Sequence, residues 1–299
     1  MAMFALIHGA ADAGWSWHLV ERELRARGHE TVAPDLPCED DTAGLAEYAE
    51  VVVQAAGRLP GDDLIVVGQS FGGFTAPLVA DRLQARAIVL VTGMIPAPGE
   101  RPEDWPANTG LGSAIAAQAA RDGGKTGSHD PLVCFFHDVP RALADEAMTR
   151  GYRAQSDTPG RRPWPLGAWP AIPTRLVLCT EDRFFPAGFM RRVAAERLGI
   201  VPDEIAAGHC AALSRPEELA GLLARYAAEP GPHRQRLDVA GGSPMGGIAA
   251  IGAWTIGCSI PSISQTGVRT GPAPLSQCGS TWAVGADWGA RRSQPWNLE

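Results

Sequence analysis

An α/β architecture, a mostly parallel sheet of about six strands flanked by helices, is the fold class this 299-residue sequence predicts. Three observations predict it. Short apolar runs alternate with helix-length amphipathic stretches, as in βα units whose strands are buried on both faces. Several of the helical stretches open with proline or acidic residues, which suit the first turn of a helix. A Gly-x-Ser-x-Gly motif, Gly68-Gln69-Ser70-Phe71-Gly72, falls directly between one such strand and one such helix.

Taken in order, a first strand is expected at 4–8 and a helix at 15–27, then a short strand at 31–33 and a helix at 42–59. The strand at 64–67 leads through the motif into a helix at 71–84, and a further strand follows at 87–92. There the alternation stops. Residues 94–172, rich in Pro, Gly and Trp, are too long for a plain loop and read as a small cap insertion over the C-terminal edge of the sheet, with a small-residue helix at 111–121. Its aromatics (Trp105, Trp164, Trp169, Phe135, Phe136) either contact substrate or form the core of the cap, and His129 and His137 lie among them. The alternation resumes with strands at 174–179 and 201–206, each followed by a helix, at 186–198 and 216–228.

One domain is therefore expected over 1–229. Beyond it, residues 230–299 are rich in Gly, Ser and Pro and read as a poorly ordered tail. The stretch 239–268 carries no charge, but its Gly, Ser and Pro content argues against a membrane anchor. A formal net charge of -7 and the lack of any basic run argue against a nucleic-acid partner. Six scattered cysteines without Cys-x-x-Cys pairing suggest neither a disulfide framework nor a zinc site. With an N-terminus that lacks a basic leader and runs straight into a core strand, they point to the cytoplasm.

A serine hydroxyl becomes a nucleophile only beside a base that a carboxylate orients. Ser70 sits at the strand-to-helix turn as in a nucleophile elbow, so the chain should supply the acid and then the histidine at later strand ends. It does so after 174–179, where Glu181 and Asp182 follow, and after 201–206, where Gly208-His209 follows. Asp182 is the preferred acid because it lies further past the strand end; Glu181 is its rival. The oxyanion formed during attack needs two backbone donors. The amides of Phe71, at a helix head, and Ala10, in the loop leaving the first strand, are expected to supply them. His8 in that loop is expected to bond loop backbone rather than act as a base. No metal site and no phosphate-cradling motif is present in the sequence.

These residues resemble the α/β-hydrolase superfamily, in the branch of plant methyl-ester hydrolases, hydroxynitrile lyases and bacterial pyrethroid-type carboxylesterases. The likeness rests on His8-Gly9-Ala10 with Gly14-Trp15-Ser16-Trp17, on Ala33-Pro34-Asp35-Leu36-Pro37, on Gly68 to Gly73, on Cys179-Thr180-Glu181-Asp182 with Pro186, and on Gly208-His209 with Pro216-Glu217. It implies an α/β-hydrolase fold, a six-stranded sheet without extra antiparallel strands, no cofactor, and hydrolysis of a small carboxylic ester through an acyl-enzyme. Lyases of the branch resemble the esterases but carry a lysine after the histidine and a threonine in the oxyanion loop, where this chain has Cys210 and Gly9. The plant-type His-Gly before the tryptophan is replaced by Asp12-Ala13. The remaining alternatives are lyase, lactonase or haloperoxidase-like activity on the same residues, or a ligand-binding receptor that has lost turnover.

Overall fold

Among the described residues six strands are laid down in chain order: β1 (Met3–Ile7), β2 (Glu30–Val32), β3 (Leu64–Gln69), β4 (Ala87–Val91), β5 (Thr174–Cys179) and β6 (Asp203–Ile205). The computed structural model describes residues 1–57, 63–151 and 153–229; the expected tail at 230–299 lies outside the described residues. The strands form one sheet in the order β2-β1-β3-β4-β5-β6, every neighbouring pair parallel, as the sequence pattern predicts. The chain runs outward from β1 to β2, then returns to the other side of β1 to place β3. Loops leaving β1 and β3 therefore diverge at their carboxyl ends, the crevice in which open α/β sheets bind ligands.

Parallel strands need crossovers, and helices supply them on both faces. After a 3-10 turn at Gly14–Trp17 come α1 (His18–Ala26), α2 (Leu45–Ala56) and α3 (Gly72–Leu83). Between β4 and β5 run α4 (Trp105–Thr109), α5 (Leu111–Asp122), α6 (Pro131–Cys134), α7 (Arg141–Gly151) and α8 (Thr158–Arg161). The last are α9 (Ala187–Leu198), α10 (Ala211–Ser214) and α11 (Pro216–Ala228). Strand periodicity sorts the core into two layers. Ala5, Ile7, Val66, Leu90 and Leu178 face α2, α3 and α9, while Phe4, Leu6, Val67, Val91 and Val177 face α1 and α11.

The element ends show where local chemistry overrules apolar pattern. The strand expected at 201–206 begins only at Asp203, because Pro202 has no N–H to give the ladder and Val201 is 93% exposed. The helix expected at 42–59 starts at Leu45, where the Glu47 carboxylate accepts the Gly44 N–H at 2.8 Å. In the insertion, Trp105 and Trp164 are buried and donate to Ile95 and Phe74 carbonyls at 2.9 and 3.0 Å. These tryptophans are packing residues. A separate apolar cluster of Val139, Ala144, Ala147 and Leu213 joins α7 to α10.

The head of α3 is pressed hard against the loop after β4. A Cβ added at Gly73 would lie 2.1 Å from the Met94 carbonyl oxygen, so backbone has to move. Gly73→Ala is expected to destabilise the protein by about 1–3 kcal/mol, read from the urea midpoint at unchanged slope.

Candidate active site

Ser70 follows the last residue of β3 with φ of 51°, a left-handed conformation that is unusual for a residue with a side chain. The turn is held in place by hydrogen bonds. The Ser70 N–H donates to the Val91 carbonyl at 3.3 Å, and the Ser70 carbonyl accepts from Met94 at 2.9 Å and Gly73 at 3.1 Å. The flanking glycines supply room rather than the turn itself. A Cβ at Gly68 would meet the Gly72 carbonyl at 2.7 Å, and one at Gly72 would meet the His8 carbonyl at 2.8 Å. The serine hydroxyl is thus presented beside the head of α3, where Phe71 is the N-cap.

The loops after β5 and β6 bring an acid and a base together. Asp182 is completely buried and His209 nearly so, and His209 Nδ1 lies 2.8 Å from Asp182 Oδ2. The same oxygen accepts the Thr92 hydroxyl at 2.7 Å, while Oδ1 accepts the Phe184 and Phe185 N–H groups at 2.7 and 3.0 Å. Burial alone would push this carboxyl up; the facing His209 and the three other donors outweigh it and hold Asp182 below the usual carboxylate range. An ionised carboxylate only accepts, so Nδ1 carries the proton and Nε2 is left as the basic nitrogen. Phe135, Phe184 and Phe185 stand edge-on around the imidazole with centroids 5.1–5.4 Å away. Glu181 is exposed, and only its backbone joins the site.

Ser70 and His209 line one cavity of about 150 Å³, together with Ala10, Asp12, Phe135 and Phe184 among others. Gln69 bridges the serine and histidine loops, its Nε2 donating to the His209 carbonyl at 3.3 Å. The hydroxyl and imidazole are not hydrogen-bonded to each other in this arrangement; such bonds commonly tighten only when substrate binds. Ala10 is an exposed part of the cavity wall. Phe71 contributes no wall: its ring packs on Phe74 at 5.4 Å while its amide stands at the helix head. Gly9 has no space for a side chain, since a Cβ there would lie 2.7 Å from Gln69 Oε1 and 3.1 Å from Ser70 Cβ. His8 bonds loop backbone, Nδ1 to the Gly9 carbonyl at 2.8 Å and Nε2 accepting from the Leu36 N–H at 3.0 Å. A larger groove of about 780 Å³ runs past Arg121, Lys125, Glu181 and Arg183, but neither Ser70 nor His209 reaches it.

A model of the alpha/beta hydrolase family matches residues 4–222. The chain belongs to that family. It is similar to norfluorocurarine synthase 1 of a Strychnos species, at 22% identity over 252 residues, 75% of this chain and 94% of that protein. It is 34% identical to methylesterase 2 of Arabidopsis thaliana over 104 residues, 31% of this chain and 40% of that protein. A solved pyrethroid hydrolase from Sphingobium faniae JZ-2 shares the fold with a TM-score of 0.62 at 23% identity, covering 77% of this chain and 98% of that one.

In this alpha/beta hydrolase the acid and base are also held by residues that sequence reading missed. The insertion straps both loops: Asp138 Oδ2 accepts the Gly208 N–H at 2.7 Å, and His137 Nε2 lies 3.0 Å from the Glu181 carbonyl. One dipeptide therefore bonds the residue before Asp182 and the residue before His209. Thr92, the hydroxyl on Asp182, has φ of 41° at the end of β4. Its position directly after a core strand was the available signal. The strap has none, because no periodicity links 137–138 with 181 and 208.

Because the Asp182 carboxyl is held below its ordinary value, its ionised form stabilises the fold above about pH 4, and that contribution disappears as pH falls through the depressed value. Asp182→Asn is expected to lose about 1–3 kcal/mol at pH 7. The gap to wild type should close as unfolding is measured at progressively lower pH below 4.

Proposed function

We propose that this alpha/beta hydrolase is a serine carboxylesterase that cleaves small carboxylic esters through an acyl-enzyme. The observation that carries the reading is the hydrogen-bonded Asp182–His209 pair opening onto the cavity that Ser70 also lines. In this reading Ser70 Oγ attacks the ester carbonyl while His209 Nε2 takes its proton. The ionised Asp182 stabilises the imidazolium so formed. The amides of Ala10 and Phe71 donate to the oxyanion, one from the loop after β1 and one from the head of α3. The imidazolium then protonates the departing alcohol. Water, deprotonated by His209, attacks the acyl carbonyl and releases the acid, restoring the serine.

The names of relatives point the same way: a methylesterase, a pyrethroid hydrolase and a polyneuridine aldehyde esterase are among them. Among the described residues that line the cavity there is no arginine or lysine, so a lyase reading lacks a cation for a departing anion. Burial pushes the Cys210 thiol well up, so the position after His209 stays neutral. The catalytic domain in this proposal is 1–229, with 94–172 as its cap. The free thiols at Cys38, Cys134, Cys179 and Cys210 support a reducing, cytoplasmic setting. Among the described residues no helix is long and apolar enough to cross a membrane.

A cavity of about 150 Å³ suits a short acyl chain. With p-nitrophenyl esters of graded length, wild type is expected to turn over acetate and butyrate faster than decanoate. Ser70→Ala should lose about 10³-fold or more in kcat. Binding of the esters by wild type without turnover would favour a receptor instead.

A further inference from the structure

We propose that Asp12 selects the substrate: the esters taken carry a hydrogen-bond donor, best a protonated amine, on the acyl group, and esters with a carboxylate there are rejected. The inference rests on the esterase reading and gives that site its substrate class.

Asp12 lies two residues beyond Ala10, in the loop leaving β1, and lines the cavity with Ser70 and His209. The wall around it is largely apolar, with Phe135, Phe184, Ala212 and Leu213. Its Oδ1 is fully used by the loop, accepting the Ser16 hydroxyl and the Ala13 N–H at 2.8 Å. Its Oδ2 has no hydrogen bond among the described residues, and no arginine or lysine among them pairs with Asp12. The neighbouring His8 brings no charge. With Nδ1 donating to Gly9 and Nε2 accepting from Leu36, that imidazole is locked in its neutral form. Burial pushes the carboxyl of Asp12 up, as expected of a carboxylate without a counter-ion, and the Ser16 and Ala13 hydrogen bonds on Oδ1 offset this only in part.

Fixing the loop requires one acceptor oxygen, which an asparagine would supply equally well. The second oxygen, on a wall whose other polar side chains include Ser16, Gln69, Ser70 and His209 but no other carboxylate, is what a loop role leaves unexplained. An acceptor oxygen on a largely apolar wall gains most from a partner that brings a donor, and charge-assisted bonds are the strongest of these. A substrate carboxylate would meet a second negative charge in a medium that screens it poorly. The amino acid at this place therefore sorts substrates by charge.

The test uses three ethyl esters of similar size on the full-length protein at pH 8, followed by acid release: ethyl 4-aminobutyrate, ethyl pentanoate and monoethyl succinate. Wild type is expected to give kcat/KM for the amine ester at or above that of the neutral one, and about tenfold or more above that of the anionic one. In Asp12→Asn, which keeps the loop acceptor, and in Asp12→Ser, the amine-to-anion ratio should fall toward one. Equal wild-type rates on the amine and anionic esters, or a ratio unchanged in a folded variant, would overturn the proposal. Ethyl pentanoate with wild type and Ser70→Ala separates the two readings. Turnover that needs Ser70 but ignores charge sinks only the role of Asp12, whereas no turnover of any ester by wild type sinks the esterase and the selection with it.

Discussion

A carboxylate removed from water must be neutralised by its surroundings, and the buried Asp182 is the constraint on which the rest of this structure turns. Its donors come from three successive sheet neighbours: Thr92 at the end of β4, Phe184 and Phe185 after β5, and His209 after β6. Because all of these strands are parallel, their carboxyl ends lie on one edge, and the order β4-β5-β6 sets the three loops side by side. The same donors orient the imidazole. Phe184 and Phe185 serve twice, with amides on the acid and rings against the base.

The edge of the sheet where this happens is strained. Ala11, Ser70 and Thr92 adopt left-handed backbone with side chains, and they follow β1, β3 and β4 respectively. Such conformations persist where the surroundings over-determine them. Here the Ala11 N–H is bonded to Gln155 of the insertion at 2.9 Å, and the Thr92 N–H to Val177 at 2.8 Å. The insertion thus does more than roof the cavity. Through Gln155, His137 and Asp138 it holds the loops that carry the proposed oxyanion donor, the acid and the base.

The parallel sheet was legible because its strands are buried on both faces and read as continuous apolar runs, Leu64 to Val67 above all. β5 and α11 were expected with the bounds they have, since Pro173 and Pro216 punctuate them. β6 was overextended because apolar content alone does not register the missing donor of Pro202. Ser70, Asp182 and His209 stood out in the sequence because each follows a readable strand, and of the two acidic residues Asp182, not Glu181, is the one buried against His209. Thr92 offered only its place directly after a core strand, while Asp138 and Gln155 were invisible because each reaches its loop across a long separation through a polar contact. Asp12 was noticed only as a departure from a plant-type sequence; its shared cavity with Ser70 required the fold.

In the proposed esterase Ser70 is the group that becomes covalently modified, with its reactivity supplied by His209 and Asp182. A fluorophosphonate probe followed by intact-protein and peptide mass spectrometry measures this directly. Wild type is expected to gain one adduct, on Ser70; Ser70→Ala should gain none, and Asp182→Asn should label about 10²-fold or more slowly. Labelling at another residue, or equal labelling rates in wild type and Asp182→Asn, would contradict it.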